Sequence, residues 1–244
     1  MSTVAFFRTM ALTQDQLKQQ AAAAAVATIT SGMVVGLGTG STAAFAVSAL
    51  AERMQKEGIR VIGVPTSQRT AEQAQSLGIP LATLEEQPIL DVAIDGADEI
   101  EVGSLNLIKG AGGALLREKL VEVSAKRLII VADASKKVAR LGTKFALPVE
   151  VVRFGWQSTL ERVKAVGCTP TLRLTASGDP YITDENHYIL DCQFPPMEDA
   201  AAIAAALKSI AGVVEHGLFI GLTSEAIIAT ADGIEQLTPA ASGN

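Results

Sequence analysis

The chain has 244 residues, 48% of them hydrophobic and only 4% aromatic, which gives length for one large domain or two smaller ones and excludes disorder. Twenty basic against 26 acidic residues leave a formal net charge of -6 with no basic block, which excludes wholesale nucleic-acid binding. The most apolar window, residues 21–40, is broken by Thr28, Thr30, Ser31 and Gly32, which excludes a membrane-spanning helix.

In chain order, residues 1–10 carry one Arg, no long apolar stretch and no obvious cleavage site, which predicts a cytoplasmic protein and makes Met10 a candidate start. Thr13 or Asp15 is available as N-cap of a helix over 13–30, with Leu17, Ala21, Ala24 and Ala25 on one face. The alanine run 21–25 predicts tight helix packing. A strand over 33–37 leads through Gly38-Thr39-Gly40-Ser41-Thr42 into a helix over 43–56. A strand over 59–64 leads through Pro65-Thr66-Ser67 into a helix over 69–77. Two further apolar runs, 92–94 and 128–132, end at Asp95-Gly96-Ala97-Asp98-Glu99 and at Asp133-Ala134-Ser135-Lys136-Lys137.

Near-continuous apolar strands alternating with helices predict an α/β fold, a Rossmann-like, doubly wound, mostly parallel sheet. Polar and glycine residues gather at the strands' C-terminal ends, where such sheets bind ligands. After Pro148 the rhythm changes. Strands around 149–152, 172–174, 188–191 and 213–216, with helices over 156–166 and 198–210, predict a smaller α+β domain of split βαβ type. Runs 217–220 and 226–229 read as a return to the main sheet. The expected division is therefore 1–145 plus 217–244, with 146–216 inserted. Cys168 and Cys192 form no CxxC pair and read as buried thiols in a reducing compartment, and His187 and His216 have no ligand-like spacing. No metal site and no cofactor are expected.

Three segments carry chemistry. In the first, Gly38, Thr39 and Gly40 let backbone N–H groups turn toward an anion, the next helix adds its positive end, and the Ser41 and Thr42 hydroxyls supply donors. That loop lacks the third glycine of a dinucleotide fingerprint and the lysine of a P-loop, so it fits a small phosphate better than a nucleotide. In the second, Asp95, Asp98 and Glu99 place three carboxylates directly after a buried strand, able to bind sugar hydroxyls, hold a cation or shuttle protons. In the third, Lys109-Gly110-Ala111-Gly112-Gly113-Ala114 offers a cation and free amides to a developing oxyanion, with Glu118 one helical turn beyond.

Taken together and in this order, these segments resemble ribose-5-phosphate isomerase of type A. Thr13-Gln14-Asp15 with Lys18, Ala132-Asp133-Ala134-Ser135-Lys136, Leu147-Pro148-Val149-Glu150-Val151 and Gly217-Leu218-Phe219 extend the likeness over residues 12–233. The resemblance implies interconversion of D-ribose 5-phosphate and D-ribulose 5-phosphate through a cis-enediolate, without cofactor or metal, in the pentose phosphate pathway or the Calvin cycle. It implies Glu118 as the base, Asp95 and Asp98 as contacts to sugar hydroxyls that assist ring opening, and Lys109 beside the oxyanion. Lys18, Ser41, Thr42 and Lys136 fall on phosphate- and sugar-binding positions, with Gly38, Thr39, Gly40, Gly110, Gly112 and Gly113 supplying the loops. Leu116 stands where other members often have Thr before the Arg. A homodimer or homotetramer is implied, with no nucleic-acid or membrane partner. Two rival readings are a sugar-phosphate effector domain that binds without turnover and a CoA transferase with a glutamate nucleophile. The first normally carries a DNA-binding helix-turn-helix, for which residues 1–12 leave no room.

Overall fold

The computed structural model describes residues 12–240, so the candidate start at Met10 lies outside the described residues. In chain order the first half comprises α1 (Gln14–Val26), β1 (Val34–Leu37), α2 (Ser41–Glu57), β2 (Ile62–Pro65), α3 (Gln68–Ser76), β3 (Val92–Asp95), β4 (Glu99–Glu101), β5 (Leu107–Ile108) and α4 (Leu115–Val123). The second half comprises β6 (Leu128–Asp133), a 3-10 turn (Ala134–Lys136), β7 (Lys137–Val138), β8 (Leu147–Val151), α5 (Trp156–Lys164), β9 (Thr169–Leu172), β10 (Tyr188–Gln193), α6 (Ala200–Lys208), β11 (Val213–His216), β12 (Leu218–Phe219), β13 (Glu225–Thr230) and β14 (Gly233–Leu237).

The main sheet has the order β14-β13-β6-β3-β1-β2, parallel except for β14 at one edge. The middles of its central strands are apolar because both faces are covered. Ile129, Val131, Ile227 and Ala229 pack into the layer of α1 and α2, while Leu128, Ile130, Ala226 and Ile228 pack on the opposite side against Leu107 and Phe219. This is the α/β architecture that the alternating apolar runs predict. Ala21, Ala22 and Ala25 have no solvent exposure, so the alanine run serves the close approach of α1 to its neighbours.

Residues 147–216 form a second, wholly antiparallel sheet of order β11-β8-β10-β9, connected β-α-β-β-α-β, with Val149, Val151, Val163, Leu190 and Leu207 in its core. Cys168 and Cys192 are both free and buried in that core.

A third small sheet, β12-β5-β4-β7, corrects one expectation. Residues 218–219 do not rejoin the main sheet; Leu218 and Phe219 pair with Ile108 and Leu107. The cause is local: Gly217 is clamped, donating to the Pro148 carbonyl at 2.8 Å and accepting from Lys109 N at 2.9 Å, so the chain is committed to β5 before it can reach β6. The run at 226–229 does rejoin the main sheet, as β13 beside β6.

Helix α1 starts where its cap directs. The Thr13 hydroxyl accepts from Gln16 N, and the Gln16 side chain accepts from Thr13 N, a reciprocal capping box. Thr13→Ala is expected to cost about 0.5–2 kcal/mol in urea unfolding, the range for a lost N-cap, because Gln16 N loses its acceptor.

Candidate active site

The carboxyl ends of β1 and β3 and the start of α2 meet at one cavity of about 120 Å3. Ten of the residues singled out from the sequence line it together: Lys18, Thr39, Gly40, Ser41, Thr42, Asp98, Lys109, Gly110, Gly112 and Glu118. Lys136 joins them from the 3-10 turn after β6. Gly38, Asp95 and Gly113 do not line the cavity. Gln14, Gly96 and Ala97 also line it. Gln14 was not singled out, although it lies one helical turn before Lys18 and therefore on the same face of α1.

The phosphate-like side of the cavity is built around the end of α2. Gly40 occupies its N-cap without a side-chain hydrogen bond, whereas α1 and α3 are capped by Thr13 and Ser67. The first N–H groups of α2 are thus left for an anion, and the helix dipole favours one there. Two cations stand nearby. Lys18 projects from α1, 3.7 Å from Asp15. The Lys136 ammonium lies 4.5 Å from the centre of the Phe145 ring. Glu99 explains why Phe145 is there: it is fully buried and accepts from Gly142 N and Phe145 N, each at 2.7 Å, and from Lys144 N. Glu99 is therefore a clamp on the 142–145 loop and not a cavity wall. The Thr39 hydroxyl is occupied as well, within 2.7–2.8 Å of Thr66 Oγ1 and Ser67 Oγ.

The opposite side is ionic and dry. Lys109, 2% exposed, directs its Nζ to the Gly96 carbonyl at 2.6 Å, Asp95 Oδ2 at 3.0 Å, Glu122 Oε1 at 3.2 Å and Glu118 Oε1 at 3.6 Å. The Phe219 ring lies below it, 5.5 Å from the ammonium. Burial opposes the lysine's charge, but Asp95, Glu118 and Glu122 outweigh it and raise its pKa well above the ordinary value. Asp95, 1% exposed, spends its other oxygen on Thr39 N at 3.0 Å and Gly96 N at 2.6 Å. That carboxylate also accounts for Gly38, where a Cβ would sit 2.2 Å from the Asp95 Cγ. Asp98 is less buried; one oxygen accepts from Ala111 N at 2.9 Å, tying it to the 109–113 loop.

Glu118 sits in the first turn of α4, 3% exposed, and its Oε2 has no hydrogen-bond partner. Burial pushes its pKa up to about 8; Lys109 opposes the rise, and the charges of Asp95 and Asp98 add to it. Its neighbours face elsewhere: Arg117 pairs with Glu185 at 2.6 Å, and Lys119 with Glu215 at 2.8 Å. Burial and the Lys119 charge lower the His216 pKa to about 4, leaving it neutral, and His187 bonds Glu150 at 3.0 Å. Neither histidine lines the cavity. A high-pKa carboxylate, a fixed ammonium and an anion-binding helix end in one cavity can hold a phosphorylated substrate and move a proton beside an oxygen that becomes negative.

Comparison with known proteins gives the family. The family described as ribose 5-phosphate isomerase A (phosphoriboisomerase A) matches residues 62–233. The chain belongs to the ribose 5-phosphate isomerase A family. A ribose-5-phosphate isomerase A from Synechococcus sp. (strain JA-3-3Ab) is 75% identical over 223 residues, 91% of this chain and 97% of its own. A probable ribose-5-phosphate isomerase 3, chloroplastic, from Arabidopsis thaliana is 50% identical over 238 residues, covering 95% of this chain and 86% of the other. A D-ribose-5-phosphate isomerase solved in complex with phospho-erythronic acid superimposes with a TM-score of 0.90 at 36% identity, over 93% of this chain and all of that one. Among the described residues of this family member no helix is long and apolar enough to cross a membrane.

Two stability effects follow for this isomerase-family site. Lys109→Met leaves buried carboxylates uncompensated and is expected to cost about 3–5 kcal/mol in denaturant unfolding. Glu118 works in the opposite sense. Its folded pKa lies above the ordinary 4.5, so the stability it contributes is full below that value and is lost as pH climbs through about 8. Glu118→Gln is expected to melt close to the unsubstituted protein near the ordinary glutamate pKa and progressively above it as pH rises, read by calorimetry across that range.

Proposed function

We propose that this chain interconverts D-ribose 5-phosphate and D-ribulose 5-phosphate, with Glu118 as the base. The observation that carries this reading is the Glu118 carboxylate itself: buried, with one oxygen unpartnered, in the wall of a cavity that Lys18, Lys136 and the start of α2 also line. The phosphate binds at the start of α2, between Lys18 and Lys136, with the Ser41 and Thr42 hydroxyls as further donors. Reach then decides the chemistry, since anchoring the phosphate end sets C1 and C2 against Glu118 and Lys109. Asp98 keeps one oxygen for a sugar hydroxyl and assists ring opening. Asp95 acts indirectly, holding Lys109 and the Thr39 amide in place.

In the aldose-to-ketose direction ionised Glu118 takes the C2 proton, and the electron pair shifts to give a cis-enediolate with negative charge on O1. Lys109 faces that charge together with Gly110 and Gly112 of the cavity wall; the Ala111 and Gly113 amides are spent on Asp98 and on the Gly110 carbonyl. Lys109 stays an ammonium throughout, because its pKa is raised, so it offsets charge and does not itself supply the proton. Glu118 returns the proton to C1 while the O2 proton relocates to O1, and the ketose results. Every atom is conserved and no electron acceptor is needed. The ammonium already stands where Asp95, Glu118 and Glu122 converge, which supports a site whose cation is the lysine and which works without a metal. A reducing compartment, the cytoplasm included, suits the free Cys168 and Cys192. Homo-oligomerisation is proposed through the open edge of the second sheet at β9, and light scattering checks it.

Glu118→Gln is expected to lower kcat by about 10²–10⁴-fold, the worth of a positioned general base, while substrate still binds. Lys18→Ala and Lys136→Ala are expected to raise KM more than they lower kcat. Ribulose 5-phosphate formation with each variant, repeated in the presence of a chelator, measures all three. Full activity in Glu118→Gln would overturn the assignment of the base.

A further inference from the structure

Glu122 lies one helical turn beyond Glu118 on α4, and the reaction outlined above does not use it. Its side chain has no solvent exposure, and neither of its oxygens has a hydrogen-bond partner. Asp95 Oδ2 is likewise buried without a hydrogen-bond partner, and both carboxylates lean on the same ammonium, at 3.2 Å and 3.0 Å. The charged groups around Glu122 are Lys109 after β5, Asp95 at the end of β3 and Glu118 on α4. Lys119 also acts on it from α4, although that ammonium is turned to Glu215 and to the His216 and Leu218 carbonyls.

Three carboxylates around one ammonium would leave a net charge of two minus in a dry site, a costly arrangement. A single proton halves that charge. A neutral carboxyl at Glu122 donates to a carboxylate at Asp95, which gives both residues a partner and leaves Glu118 free to ionise. We propose that Glu122 is a positioning residue that carries the resident proton of this cluster, holding Asp95 and Lys109 in place and reserving ionisation for Glu118. Glu122 takes the proton in preference to Glu118 because its side chain is the more deeply buried, 0% against 5% exposed. Burial raises the Glu122 pKa well above the ordinary value against the pull of Lys109, and the charges of Asp95 and Glu118 raise it further. The inference rests on the reading of Glu118 as the base.

The test uses Glu122→Gln, which keeps a donor and the neutral charge, and Glu122→Leu, which keeps neither donor nor acceptor. The infrared difference spectrum of wild type minus Glu122→Gln at neutral pH is expected to show a protonated-carboxyl C=O band. The acid limb of kcat/KM in Glu122→Gln is expected to stay where it is in wild type. Glu122→Leu is expected to lose about 10–10²-fold in kcat with little change in KM, as displaced groups do, and Glu122→Gln to recover most of that loss. If Glu122 is instead ionised, the band is absent, and the acid limb of Glu122→Gln falls by about 1–3 pH units because a nearby negative charge has gone. Either result overturns the proposal, as does a folded Glu122→Leu with wild-type kcat. Both Glu122→Gln readouts stand whether or not Glu122→Leu folds. The infrared band does not depend on turnover, so failure of Glu118 as the base, seen as an active Glu118→Gln, is distinguishable from failure of this inference.

Discussion

The architecture of the site depends on one buried ammonium. Lys109 leaves the end of β5, rests over Phe219 of β12, and is gripped by Asp95 from β3 and by Glu118 and Glu122 from α4. Two sheets and a helix therefore converge on a single charge. Interior ion clusters are a poor way to gain stability, since desolvation consumes most of the attraction. What this one supplies is electrostatic preparation: a cation fixed before substrate arrives, and a carboxylate whose proton affinity burial has raised toward working pH. Stability and reactivity pull in opposite directions at Glu118, which is the pattern expected where a fold stores strain for chemistry.

The rest of the cavity compensates for an acidic chain. A net charge of -6 would repel a sugar phosphate, yet ordinary salt screens charges beyond about 8 Å, so what the substrate meets is local. Locally the cavity presents Lys18, Lys136 and an uncapped helix start. Each lysine is held by something outside the cavity: Lys18 by a helix whose capping box sets its first turn, Lys136 by the Phe145 ring. The Glu99 clamp sets that ring in place. Few aromatic residues are needed on the proposed reading, in which recognition runs through hydroxyl, amide and ammonium groups.

Much of this was legible in the sequence, for identifiable reasons. Strands β3 and β6 read as continuous apolar runs because helices and the small sheet bury both of their faces, and the glycine loop after β1 marks a close approach that Asp95 makes necessary at Gly38. The third sheet was not legible, because β5, β7 and β12 are two residues each and β4 only three, too short to carry a period. The destination of Leu218 and Phe219 was missed for the same reason; it is set by tertiary clamping at Gly217. Spacing alone grouped Asp95, Asp98 and Glu99, and the fold divides them: one beneath Lys109, one on the cavity, one clamping the 142–145 loop. Glu122 gave no signal, since on a helix ending near the surface a glutamate reads as solvated until α4 is seen to lay it against Lys109.

The most direct test of the account is the ionisation of Glu118 in the free enzyme, followed by carbon-13 NMR of labelled glutamate carboxyls and assigned by the resonance missing in Glu118→Gln. The account predicts a midpoint well above the ordinary 4.5, near 8, and higher still in Lys109→Met, where the opposing charge is gone. A midpoint near 4.5 that Lys109→Met leaves unmoved would contradict it.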